Sequence, residues 1–134
     1  MKKDIIRLKV EGVYVAIARK RAPEGNYQWF VYLINDNNFS LEYVIIASQG
    51  YGRLEGENRK TSVLRQMFEK VAPKTYELIE PIDPKLFSLC NEFWVSYYLG
   101  REIYDKKFIF LPETLTEDYI TPIEFLGMEG ILHH

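Results

Sequence analysis

The sequence predicts an all-β domain: an antiparallel sandwich of two sheets, immunoglobulin-like in outline, with at most one or two short helices. Three observations carry that expectation. Apolar residues alternate with period two over several short stretches, aromatic and β-branched residues are abundant, and turn formers separate the stretches. Strands do not alternate with helices along the chain, which disfavours a parallel α/β sheet. A closed or partly closed barrel is the alternative architecture.

The elements follow in order. Residues 4–10 are half apolar and read as a short strand. Residues 13–21 alternate, with Val13, Val15 and Ile17 on one side and Tyr14, Ala16 and Ala18 on the other. Residues 27–35 (YQWFVYLIN) and 39–48 (FSLEYVIIAS) flank the turn formers Asp36, Asn37 and Asn38, and read as a hairpin. Both arms are apolar on both faces at mid-length, a pattern expected of strands covered twice. Residues 49–61 (QGYGRLEGENRKT) contain three glycines and mixed charges without periodicity, and read as a long loop.

Residues 63–71 are two-valued. Val63, Leu64, Met67, Phe68 and Val71 fit a helical face, with Thr61 or Ser62 as cap and Pro73 as stop, while the all-β context favours a strand. Residues 75–82 read as a strand with Tyr76, Leu78 and Ile82 facing one way. Residues 84–89 fit a single helical turn after Pro81 and Pro84. Residues 92–99 and 102–111 form a hairpin through Gly100 and Arg101. Residues 120–126 fit a final edge strand, where Pro122 is tolerated, and 127–134 read as a loose tail. The total is seven or eight strands.

A chain of 134 residues suits one domain, residues 1–134, large enough to bury a core. The 15% of aromatic residues argues against long disorder. The net charge is -2 and the pI about 5.7, so no basic field marks the whole domain for nucleic acid. Cys90 is the single cysteine, which fits a reducing cytoplasm. Charges at Asp4, Arg7 and Lys9 interrupt any apolar leader, and no apolar run reaches the ~20 residues of a membrane span. The expectation is a cytoplasmic protein without a membrane partner.

Catalytic patterns do not emerge. The only histidines are the adjacent pair His133 and His134 at the end, a poor metal site. No histidine stands elsewhere to activate Cys90 or a serine. Phosphate-cradling glycine loops are missing, and the acidic pairs Glu55/Glu57 and Glu117/Asp118 read as solvated loop residues. No catalytic, cofactor-binding or metal-binding residue is therefore assigned, and no cofactor is expected.

Two features remain as candidate contact sites. Tyr51 with Arg53, Arg59 and Lys60 gathers cations around an aromatic ring, a combination suited to a phosphate or a base. Glu55 and Glu57 offset those cations. Arg19, Lys20 and Arg21 end a strand, and Lys106 and Lys107 suit an outward-facing edge. Ten tyrosines exceed what a small core can hold with every hydroxyl satisfied, so some aromatics should face a partner, with Trp94, Tyr97 and Tyr98 as the candidates.

The stretch NEFWVSYYLGREIYDKKFIF (residues 91–110), with the opening DIIRLKVEGVYVAIA and the segment YLIND, resembles a family of short Bacteroidetes proteins of about this length. Some of its members carry a name relating them to the phenylalanyl-tRNA synthetase β chain. The resemblance covers nearly the whole chain through strand and hairpin residues, so it carries no functional residue across. Its name implies an RNA- or tRNA-associated accessory role. A catalytic synthetase domain is far larger than this chain, so catalysis is not implied. The leading expectation is a non-enzymatic sandwich acting through protein contacts, with a second copy of itself as one partner. An RNA-associated domain and a small-ligand binder with a pocket between its sheets are the alternatives.

Overall fold

The computed structural model describes residues 8–134, with backbone only at Leu54. The expected strand over residues 4–10 falls largely outside them, and Leu8, Lys9 and Val10 are not in a strand. Among the described residues, ten strands form two antiparallel sheets. They are β1 (Val13–Arg21), β2 (Tyr27–Asn35), β3 (Leu41–Leu54), β4 (Glu57–Lys60), β5 (Leu64–Val71), β6 (Thr75–Pro81), β7 (Cys90–Leu99), β8 (Glu102–Phe110), β9 (Thr121–Ile123) and β10 (Met128–His133). The first sheet has the order β6-β2-β1-β10-β9. The second has the order β4-β3-β7-β8, and β5 also pairs with β3. The helical content of the described residues is three 3₁₀ turns, at Pro84–Ser88, Pro112–Thr114 and Glu117–Tyr119. The all-β sandwich expected from the pattern is thus the fold.

The core lies between the sheets. Val13, Val15, Ile17, Val31 and Leu33 from the first sheet meet Val44, Ile46, Phe93, Val95 and Phe108 from the second. These are alternate residues of their strands, as the pleat requires. The first sheet is covered on its other face too. Ala16, Ala18, Tyr32 and Ile34 pack there under Ile123 and Leu126, with Phe125 and Met128 alongside. The two-sided apolarity of β2 is answered by this second layer.

The expected hairpin of residues 27–48 does not form. β2 pairs with β1 and β6, whereas β3 pairs with β4, β5 and β7 in the other sheet. Asn35 makes the difference. Its fully buried amide donates from Nδ2 to the carbonyls of Phe39 (2.9 Å), Val71 (3.2 Å) and Ala72 (3.1 Å), while Oδ1 accepts from the Asn37 amide at 3.1 Å. The chain therefore steps from sheet to sheet at Asn35, and the end of β5 is tied to the same point.

One open reading is decided and two further expectations are corrected. Residues 63–71 are strand and not helix, because Leu64–Val71 pairs along β3 from Ser48 to Leu41. Residues 49–61 are not a loop: β3 runs through to Leu54 and turns back as β4. The turn residues Glu55 and Gly56 have φ of 54° and 79°, the two positive values of a type I′ hairpin turn. The tail 127–134 is not loose, since Met128–His133 lies inside the first sheet, between β1 and β9. It carries Ile131 onto the main core and sets His133 edge-on to Phe108 and Phe110 at 5.3 and 5.5 Å.

The step from β8 to β9 is tethered by Arg19. Its guanidinium, on a residue 7% exposed, pairs with Glu117 at 2.5 Å and Glu129 at 2.7 Å, and lies 3.9 Å from the Tyr27 ring centre. The hydrogen bond from Arg19 holds the Glu117 carboxyl below its ordinary value.

Two substitutions test this frame. Asn35→Asp keeps shape but sets a carboxylate against three carbonyls, and should lower unfolding free energy by at least about 3 kcal/mol in a urea titration. Gly130→Ala would set a Cβ 2.2 Å from the Ile17 carbonyl oxygen and 2.6 Å from Ala18 Cα. It should destabilise the domain by about 3 kcal/mol, whereas a loose tail would tolerate it unchanged.

Candidate functional site

The outward face of the second sheet gathers six of the large apolar side chains that the chain leaves exposed. Strand register puts them together. Met67, Ile45, Ser96 and Asp105 form one row across β5, β3, β7 and β8; Arg65, Ala47, Trp94 and Lys107 form the next. Beyond the first row stand Tyr43, Tyr98 and Ile103. Met67 is 70% exposed, Tyr43 59% and Ile103 54%, and Ile45, Trp94 and Tyr98 are exposed as well. Tyr43 and Tyr98 meet edge to face at 6.3 Å, and the Lys107 ammonium sits 4.6 Å from the Trp94 ring. Four strands about 4.8 Å apart and three such rows give a face of roughly 400 Å², its polar members Arg65, Ser96, Asp105 and Lys107 included.

A bulge shapes this face. Glu42 pairs with Tyr98 and Ile45 with Ser96, so Tyr43 and Val44 together oppose Tyr97. The extra residue, Tyr43, has φ of 47°, a left-handed conformation that a bulky side chain adopts at a cost. Val44 keeps its place in the core while the Tyr43 ring is turned out.

The aromatic candidates divide accordingly. Trp94 and Tyr98 are on the exposed face. Tyr97 is not partner-facing: it is 2% exposed, points into the core and stacks on Tyr104 at 5.5 Å. Burial, with the neighbouring Tyr104, pushes its hydroxyl up to about 12. Strand alternation is the reason, since Tyr97 and Tyr98 must take opposite faces.

The cationic candidates are only partly gathered. Tyr51 opposes Lys60 and Arg53 opposes Asn58, which sets Tyr51, Arg53 and Lys60 on one side of the β3–β4 hairpin. Arg59 opposes Gly52 on the other side, and pairs with Glu57 at 3.1 Å. The Tyr51 hydroxyl donates to the Glu92 carboxylate at 3.4 Å, and Gln49 Nε2 donates to the same carboxylate at 3.1 Å. Burial and the Glu92 charge raise the Tyr51 pKa. Tyr51 is thus engaged in the sheet's own polar network, and the cations do not converge on one surface.

Sequence reasoning missed Tyr43, Ile45, Met67 and Ile103 as members of a face. The signal was the apolar run of residues 43–46, which is too long for a strand with one wet side. Among the described residues, no helix is long and apolar enough to cross a membrane. Comparisons with protein-family models, curated proteins and solved structures find no match to this chain.

The strain at Tyr43 has a measurable signature. With the ring removed in both variants, Tyr43→Gly should be more stable than Tyr43→Ala by about 1 kcal/mol in urea, the reverse of their usual order in strands. Equal midpoints or the usual order would show that the left-handed bulge is not there.

Proposed function

We propose that the protein works by protein contact and not by catalysis, pairing with a second copy of itself through the outward face of the second sheet. The observation that carries this reading is the self-complementarity of the two central rows where they cross β3, β7 and β8. A two-fold axis lying in that face, perpendicular to the strands and between the rows, exchanges one row with the other. Trp94 then lies over Ser96 of the second copy, Ile45 over Ala47, and Asp105 over Lys107. In those three pairs each large side chain meets a small one and each charge its opposite, while on β5 Met67 lies over Arg65. Asp105 has no ion-pair partner among the described residues.

Such an interface is isologous, the commonest form of soluble homo-oligomer. The whole face, roughly 400 Å² with its polar members included, is smaller than the ~800 Å² per partner of a standard stable interface. The association should therefore be of modest strength, with a dissociation constant in the micromolar range or weaker.

Sedimentation equilibrium should show a concentration-dependent rise from 15.9 kDa towards twice that mass. Trp94→Glu should weaken association by more than about tenfold, because it places a charge in the buried centre. Asp105→Lys should weaken it as well, and adding Lys107→Asp to the same chain should restore it. A monomer at every concentration would sink the proposal. Failure of the double charge exchange to restore pairing would remove this face and this axis.

A further inference from the structure

A second bulge, on β6, opens a different site. Leu78 pairs with Tyr32 and Glu80 with Val31, so Ile79 and Glu80 together oppose Val31. In an unbroken ladder Glu80 would oppose Phe30 and turn to the outside. The bulge turns it inward instead, towards the space between the sheets. Ile82 follows, buried, although the sequence pattern sets it with the exposed Tyr76 and Leu78. Bulges of this kind commonly re-aim a side chain beside a functional site.

Glu80 lines a semi-enclosed cavity of about 210 Å³. Its apolar wall includes Ile82, Leu86 and Phe93. At ~30 Å³ per water the volume equals about seven waters, room for a ligand of similarly few heavy atoms. The polar lining is one-sided in its chemistry. The Ser48 hydroxyl, itself buried, donates to Glu80 Oε1 at 2.5 Å. Asn91 Nδ2 donates to the carbonyls of Leu86 at 2.8 Å and Leu89 at 3.2 Å. The Thr61 hydroxyl donates to the Ser62 carbonyl and accepts from the Gly50 amide at 2.7 Å. The donors of these three side chains are engaged. What remains are acceptors: Glu80 Oε2 and Asn91 Oδ1 have no donor among the described residues, and Glu80 has no cation beside it.

We propose that this cavity binds a small organic ammonium ion, its charged head on the Glu80 carboxylate and its apolar body against Ile82, Leu86 and Phe93. A carboxylate turned inward without a cation offers charge-assisted hydrogen bonds to such a head and nothing to an anion. Two further polar side chains line the cavity: the exposed Ser62 hydroxyl and the Gln49 amide, whose Nε2 donates to Glu92 and whose Oε1 is one more unmet acceptor.

Isotope-labelled protein should be titrated with n-butylammonium, with butan-1-ol and butyrate as probes of like size. The ammonium should give saturable amide shifts at Ser48, Glu80, Asn91 and Phe93, while the other two give none there. Glu80→Gln keeps an oxygen for the Ser48 hydroxyl, and should weaken ammonium binding about tenfold or more. Trp94→Ala should leave binding unchanged, which separates this site from self-association. Equal binding of butan-1-ol, the lack of a saturable shift, or unaltered binding by Glu80→Gln would each overturn the proposal. The probe comparison on the unaltered protein decides it even if the variant misfolds.

Discussion

One buried amide sets the course of this chain. Asn35 stands at the end of β2, where continuing as a hairpin would have kept the chain in the first sheet. Its side chain instead donates to carbonyls on both sides of a sheet-to-sheet step, in the turn at Phe39 and at the end of β5. Leaving those carbonyls unmet inside the protein would cost a kilocalorie or more each. β3 therefore starts in the second sheet, where it becomes the strand with the most partners, pairing with β4, β5 and β7. The return from β5 to β6 happens at the same corner, through Ala72, Pro73 and Lys74. Lys74 takes a left-handed φ of 55° there and pairs with Asp36 at 2.9 Å.

From that corner, the two candidate sites are products of broken alternation. A regular strand assigns each residue a face by parity, so a site can be built only from residues of one parity. The bulge at Tyr43 adds an outward ring without moving Val44 out of the core. The bulge at Ile79 keeps an apolar residue inside and adds an inward carboxylate behind it. Both deviations sit on strands that meet at the Asn35 corner, and the pairing of the neighbouring strands holds them in place.

The strands β1, β2, β7 and β8 were legible because each is a run of nine or ten residues rich in aromatic or β-branched side chains and bounded by turn formers. The hairpin through Gly100 was legible for the same reason, and the φ of 61° at that glycine fits the turn. β4 was not, because its turn is Glu55-Gly56, which lacks the Asn or Asp that usually marks two positive φ values. β5 is an edge strand exposed along most of its length, so its few apolar residues had no face to declare. β10 is short and contains Gly130; its partner β1 lies more than a hundred residues earlier, and no local pattern reveals that pairing. The exposed face was half legible. Tyr98 and Trp94 followed from parity, but parity also removes Tyr97, and the lateral neighbours Met67 and Ile103 depend on register between strands.

The two sheets supply their own comparison. β2 and β3 share the same two-sided apolarity. On β2 the outer residues Tyr32 and Ile34 are buried, because the turn after β9 folds back with Ile123, Phe125 and Leu126 to cover them. On β3 the outer residues Tyr43 and Ile45 are exposed, and no described segment lies over them. A strand with one wet side has no use for isoleucine and tyrosine there, and carrying them risks aggregation. The charges beside the patch limit that risk. Lys107 covers Trp94, and Asp105 stands one residue pair away on the same face of β8. Opposite charges spaced two residues apart on one strand repel a copy docked in parallel register and attract one docked in reverse. The same pair shields the face from indiscriminate stacking, and under the self-association proposed above it would favour the reversed orientation.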